Sequence, residues 1–241
     1  MIYLSVVIPC YNEEGRLLKS IKHYLAYFKD VSYYWEIIMV NDGSMDKTAQ
    51  ILKNIARDEK KIKIVSYRQN KGKGYAVAKG VSQSIGKLVL FADLDHSVPI
   101  ETVENLFPFF ENNHQVVIGS RRVKGAKLLK RQKFIREFLG RCFTLIVRVL
   151  IDANIKDATC GFKMFDGKIA KKLFKKQKVF RWAFDAELLY ICKKNHIDVV
   201  QAPVTWRDVS GSKVSLKKDV LSSLLGLISI RIYGYKNSYY F

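Results

Sequence analysis

The 241-residue sequence is short of acid: 22 Asp and Glu stand against 42 Lys and Arg, a net charge of +20 at pH 7. Such an excess attracts nucleic acid, an anionic membrane face or phosphorylated substrates, and it equally suits a solvated lysine-rich surface. Cysteine is scarce. Cys10, Cys142, Cys160 and Cys192 lie far apart with no C-x-x-C pair, which argues against a zinc site or a disulfide framework and suits a reducing cytosol. Long apolar runs are missing too. A membrane span needs roughly 18–20 uncharged residues, and the two best candidates are interrupted by Arg148 and Arg231. Met1-Ile2-Tyr3-Leu4 runs into a strand pattern without a basic leader, so no signal peptide is expected. No G-x-G-x-x-G follows the first strand pattern and no G-x-x-x-x-G-K-S/T occurs, which counts against a dinucleotide oxidoreductase and a P-loop NTPase. There is no internal repeat, low-complexity segment or Pro/Gly linker.

What is present is ordinary globular material, 49% hydrophobic and 27% charged, long enough to bury a full core. Residues 1–120 alternate short β-branched runs with helical patterns, the signature of βα units on a mostly parallel sheet. Strands are expected at 4–9, 35–40, 62–67, 88–92 and 116–118. The intervening helices are expected at 15–28, from Asp46 as cap through Ile55, at 72–85 and at 102–112. Beyond Gly119 the rhythm changes. Residues 121–141 are dense in Arg and Lys, an amphipathic helix begins within them and runs to about 151, and a short strand (161–165), a helix (182–194), a strand (199–204) and a terminal helix (215–232) follow. The expectation is one α/β domain, Rossmann-like, with helices on both faces and basic amphipathic helices in the second half.

In such a sheet, ligands bind beyond the carboxyl ends of the strands. The chemically useful residues fall there: Pro9, Tyr11, Glu13 and Glu14; Asn41-Asp42-Gly43-Ser44; Asn70-Lys71-Gly72-Lys73-Gly74; Asp93 and Asp95; Gly119-Ser120-Arg121. Asp93 and Asp95 flank one residue of an extended segment, so both carboxylates point the same way and repel unless a cation lies between them. A hard divalent ion, Mg²⁺ or Mn²⁺, is the natural partner, with substrate phosphate completing its shell. A bare D-x-D also arises by chance, and Asn-Asp-Gly-Ser also reads as a turn. The 71–74 segment opens a helix and offers backbone N–H groups and two cations to an anion. Arginines in 121–141 suit a phosphate-bearing acceptor, and Phe134 and Phe138, four apart, suit helix packing more than base stacking.

The order of SVVIPCYNEE from Ser5, VNDGS from Val40, NKGKG from Asn70 and FADLD from Phe91 resembles inverting glycosyltransferases of family 2, which have the GT-A fold. The resemblance continues through GSR at Gly119, DATCGFK at Asp157, RWAFDAELL at Arg181 and SGSK at Ser210, so it covers nearly the whole chain. The later motifs are most similar to members that glycosylate a polyprenyl phosphate, the dolichyl-phosphate β-glucosyltransferases, with the mannose synthases as near relatives. The resemblance implies a donor half, 1–120, and an acceptor half, 121–241. It implies that Pro9, Tyr11, Glu13, Asp42, Lys73 and Asp93 surround a nucleotide sugar. Asp93 and Asp95 would hold Mg²⁺ or Mn²⁺, with Ser97 as a third oxygen. Arg121, Arg131, Arg136, Arg207 and Lys213 would grip the acceptor or the departing phosphates. Catalysis would fall to Asp95, Arg121, Arg136 and Asp157, the last as base or orienting group, although an anionic phosphate acceptor needs little help from a base. Transfer of glucose from UDP-glucose is the leading expectation. GDP-mannose or a cell-surface glycan is the alternative, and a nucleic-acid-binding module is the different class. No nucleic-acid partner is expected of the enzyme, and a homodimer is left open. Relatives often carry membrane anchors; without one this chain would work in the cytoplasm, docked peripherally on the cytosolic face of a membrane through 134–151 and 220–240.

Overall fold

Strands that are apolar along their whole length must be covered on both faces, and this chain supplies helices to do so. In the computed structural model of the protein, all residues are described except 131, 133 and 210–215, together with the side chains of 136 and 216–220. The first half alternates β1 (Leu4–Cys10), α1 (Leu17–Lys29), β2 (Trp35–Asp42), α2 (Thr48–Asp58), β3 (Ile62–Tyr67), α3 (Lys73–Gln83) and β4 (Leu88–Ala92). A 3-10 segment Ile100–Asn105, a short α4 (Phe107–Glu111) and β5 (Val116–Ser120) complete it. The second half holds β6 (Lys127–Lys130), α5 (Phe134–Leu150), β7 (Phe162–Asp166), α6 (Gly167–Lys176), α7 (Phe184–Lys194), β8 (Val199–Pro203), β9 (Thr205–Arg207) and α8 (Leu216–Tyr235).

Seven strands form one sheet in the order β3-β2-β1-β4-β7-β5-β8, with β6 and β9 as a separate ribbon. All neighbours in the large sheet run parallel except β7, which is antiparallel to both β4 and β5. Two apolar layers result. One packs Leu17, Tyr24 and Phe28 of α1, Leu52 of α2 and Val103 against one face of the sheet. The other packs Val77 of α3, Val147 of α5, Leu173 of α6, Phe184 and Leu188 of α7 and Leu227 of α8 against the opposite face.

The structure departs from the sequence expectations at identifiable points. The helix expected over 102–112 is split, because Pro108 lacks an N–H to continue the ladder and sits instead at the start of α4. Asp46 serves the start of α2 by accepting the Thr48 N–H at 2.9 Å, although it stands one residue outside the cap. β6, β9 and α6 were not expected: β6 and β9 are only four and three residues long, and α6 carries five lysines among its ten residues.

Because β7 runs against its neighbours, its beginning lies beside the ends of β4 and β5. Residues Asp157 to Gly161 are thereby delivered to the same sheet edge as Asp93 and Arg121.

Candidate active site

At the end of β4 the chain leaves the core with Ala92 and turns through Asp93, Leu94, Asp95 and His96. The backbone there is held from two sides. Asp93 donates its N–H to the Gly161 carbonyl at 3.1 Å, and Tyr24 donates its hydroxyl to the Asp93 carbonyl at 3.1 Å. Asp95 Oδ1 accepts the Ser97 N–H at 2.9 Å. His96 has a positive φ of 55°, a left-handed conformation that non-glycine residues adopt at some cost, and its buried Nε2 lies 2.9 Å from the Ser20 carbonyl. The turn that presents both acids is therefore fixed.

Gly161 forms the floor beneath Asp93. A Cβ there would collide with the Asp93 carboxylate, so only glycine leaves this acid in place. Lys73 Nζ lies 2.7 Å from Asp93 Oδ1 and faces the rings of Phe91 and Trp182 at 5.1 and 5.5 Å. Asp185 lies behind, 2.5 Å from the buried Lys163 ammonium, which also donates to the Cys160 carbonyl at 2.5 Å. Burial raises the Asp93 carboxyl, Lys73 opposes that rise, and Asp95 and Asp185 add to it; the net displacement is upward from the ordinary carboxylate value. Burial works against the Lys73 charge, yet Asp93 and Asp185 hold its ammonium above the ordinary lysine value.

Among the described residues no group of three or more His, Cys, Asp or Glu side chains is arranged to hold a metal. Two carboxylates, a nearby hydroxyl-bearing Ser97 and a floor kept open by Gly161 suit a hard divalent ion that takes its remaining ligands from phosphate and water. The donor set fits Mg²⁺ or Mn²⁺ in the company of a diphosphate.

Beyond β5, Arg121 is clamped by Asp157. The buried carboxylate accepts from Arg121 Nε and Nη2, both at 2.7 Å, and from the Arg121 N–H at 2.9 Å, while Thr159 Oγ1 accepts from Nη2 at 2.9 Å. Burial works against the Asp157 charge, but the Arg121 guanidinium and backbone N–H prevail and hold its carboxyl below the usual range. Burial likewise opposes the Arg121 charge, and Asp157 more than restores it. The Trp206 ring lies 5.4 Å from the guanidinium carbon. Arg121 is thus a fixed, permanently charged group whose orientation Asp157 dictates.

The β1 and β2 edges hold surprises. The Asp42 carboxylate accepts the N–H groups of Lys71 and Gly72 at 2.8 and 3.0 Å and the Asn70 amide at 2.9 Å. The residue expected to face a nucleotide also ties the 70–72 turn to β2, where these backbone donors at the head of α3 would otherwise lack partners. The anion cradle expected over 71–74 is reduced for the same reason: two of its N–H groups are already taken. Gly72, at φ 100°, completes the turn. Glu13 pairs with Arg16, whose Nη2 donates to Oε1 at 2.8 Å. Arg16 escaped notice in the sequence, yet its Nη1 is buried without a hydrogen-bond partner, and the negative field of Asp95 and Asp93 reaches it. Pro9 and Tyr11 are half-buried on the same edge. Arg207, exposed on β9, donates its N–H to the Ser97 carbonyl at 2.9 Å, which brings the ribbon against the Asp95 turn. Arg131, the Arg136 side chain and Lys213 lie outside the described residues.

The Glycosyl transferase family 2 model matches residues 5–174. The chain is 35% identical over 243 residues to a dolichyl-phosphate beta-glucosyltransferase of Trichomonas vaginalis, covering 96% of this chain and 72% of that protein. It is 33% identical to the enzyme of that name from Saccharomyces cerevisiae (96% and 75% covered) and 33% identical to that from Homo sapiens (88% and 69% covered). Among solved structures it is similar to mannosyl-3-phosphoglycerate synthase from Rubrobacter xylanophilus, with TM-score 0.72 at 17% identity over 98% of this chain and 75% of that one. It is also similar to glucosyl-3-phosphoglycerate synthase from Mycobacterium tuberculosis in complex with Mn²⁺, UDP-glucose and phosphoglyceric acid, with TM-score 0.66 at 18% identity over 95% and 80%. The fold is GT-A.

Proposed function

The chain belongs to glycosyl transferase family 2, and from that premise we propose that it moves glucose from UDP-glucose to the phosphate of a dolichyl-type polyprenyl phosphate, inverting the anomeric centre. The observation that carries this reading is the convergence at one sheet edge of an acid pair, Asp93 and Asp95, the Gly161 floor against Asp93, and a clamped cation, Arg121. The names of the relatives support the sugar and the acceptor. The neighbour crystallised with UDP-glucose and Mn²⁺ supports the donor and the metal.

In this reading Asp93 and Asp95 would hold a divalent ion together with the donor diphosphate. When bound, the ion supplies positive charge where the leaving group gains negative charge. Lys73, paired with Asp93, and Arg16, in the field of Asp95 and Asp93, would offer positive charge to the same diphosphate. The acceptor is already an anion. Its phosphate oxygen bonds to the anomeric carbon as the bond from that carbon to the β-phosphate oxygen breaks, and UDP departs with the electron pair. No proton has to be removed. That suits Asp157, whose two oxygens both face Arg121, as a positioning residue instead of a base. Arg121 grips the acceptor phosphate, and any contribution of Arg131, Arg136, Arg207 and Lys213 belongs to the same grip.

A polyprenyl acceptor requires access to a membrane. Among the described residues no helix is long and apolar enough to cross one. α5 instead exposes Phe134, Phe138, Leu145 and Val149, and α8 exposes Leu221, Leu225, Ile228 and Ile232, each set along one stripe. Arg141 and Arg148 flank the α5 stripe, an arrangement that suits a helix lying in the interface of an anionic bilayer. Docking on the cytosolic face would give the +20 charge a use.

Turnover tests the reading. With UDP-glucose, Mn²⁺ and a polyprenyl phosphate, Asp95→Asn lowers UDP release by about two orders of magnitude or more while leaving the melting temperature near that of the parent. An unaltered rate in that variant would overturn the assignment of the acid pair.

A further inference from the structure

We propose that Lys73 is the resident counter-ion of the metal site, so that it competes with the divalent cation until a nucleotide diphosphate draws it away. The inference rests on the metal-and-donor reading above and deepens it.

Lys73 is the first residue of α3, and the turn that precedes it is held from several sides. Asp42 captures the N–H groups on its N-terminal side, Tyr75 donates its N–H to the Phe180 carbonyl at 3.2 Å, and a side chain at Gly72 would strike the Phe180 carbonyl. From that fixed start the side chain runs between Phe91 and Trp182 and ends on Asp93 Oδ1. The half-buried ammonium lies near two aromatic faces, and one of the two carboxylates that a metal would need is its closest anionic partner. A divalent ion at Asp93 and Asp95 would place two positive charges a few ångströms from this ammonium, in surroundings where repulsion is poorly screened.

Two further anions can receive Lys73. One is the donor diphosphate itself, an oxygen-rich anion that also supplies the ligands that the protein lacks. The other is Asp185, whose charge reaches Lys73 from behind and is already shared with Lys163. Metal and diphosphate therefore help each other: the diphosphate relieves the competition, and the metal neutralises the diphosphate. By linkage the factor by which UDP tightens Mn²⁺ equals the factor by which Mn²⁺ tightens UDP. Lys73 contributes part of that factor by penalising metal without nucleotide. The same device keeps the acid pair compensated when no donor is present.

The test measures Mn²⁺ binding to the full chain by water-proton relaxation or electron paramagnetic resonance, with and without UDP. Lys73→Met should bind Mn²⁺ on the order of fivefold or more tightly without UDP, and the gain in Mn²⁺ affinity on adding UDP should shrink. Lys73→Arg, which keeps the charge, should behave like the parent. If methionine prevents folding, judged by a melt, Lys73→Gln carries the same test. Equal or weaker Mn²⁺ binding in the charge-free variants overturns the proposal while leaving the metal site intact. Asp93→Asn and Asp95→Asn report on the site itself: if neither weakens Mn²⁺ binding, the metal reading and this inference fall together.

Discussion

Two residues decide whether the site is held as described. Asp157 is buried with both oxygens on Arg121, and removing one partner of such a pair typically costs about 3–5 kcal/mol. Its carboxyl lies below the ordinary value, so its contribution to stability is present above the unfolded carboxylate value near 4 and is lost as pH falls through the lower folded value. Asp157→Asn should therefore lower stability at neutral pH, and the deficit relative to the parent should close on acidification, measured by chemical denaturation between about pH 3 and 7. On the proposed reading Asp157 positions Arg121 and takes no proton, so the variant should raise the KM for the acceptor without shifting the pH-rate profile; a displaced acid limb would restore it as a base. Gly161 is the second. A methyl group in Gly161→Ala meets the Asp93 carboxylate, so metal affinity should fall at least tenfold while the fold survives, read by Mn²⁺ binding and circular dichroism.

At the scale of elements, the strands were legible because buried parallel strands are continuous apolar runs: LSVVIP, WEIIMV and LVLFA read as strands without further help. The acid pair was legible for the same reason, since its place just after β4 gave a weak motif a context. The Arg16 contacts and the backbone anchoring by Asp42 were not legible. Both depend on partners far along the chain or on buried geometry: Asp42 meets Lys71 and Gly72 some thirty residues later, and Arg16 matters through an orphaned Nη1 that no spacing reveals. β6 and β9 escaped because strands of four and three residues are too short to show a periodicity. α5 was legible as amphipathic, and its exposed stripe carries a prediction. Phe138→Glu should reduce retention on vesicles containing anionic phospholipid several-fold, measured by flotation, with turnover on a short water-soluble acceptor preserved. Undiminished flotation would move the docking surface elsewhere.

For the molecule as a whole, the antiparallel insertion of β7 unites the two halves at one edge. It carries the Gly161 floor to the Asp93 turn, and Asp157, which precedes it, reaches back to Arg121 at the end of β5. Residues 1–120 supply the acids and Lys73, residues 121–241 supply the floor and the clamp for Arg121, and α5 and α8 present the apolar stripes. The central claim, glucosyl transfer to a polyprenyl phosphate, is tested most directly by incubating the protein with UDP-glucose or GDP-mannose, Mg²⁺ or Mn²⁺, and a polyprenyl phosphate, then determining the lipid product and its anomeric configuration. The account predicts a β-linked glucosyl phosphate lipid that forms only with UDP-glucose and a divalent ion. It would be contradicted by a mannosyl product, an α-linked product, full activity in chelator, or no lipid product with any donor.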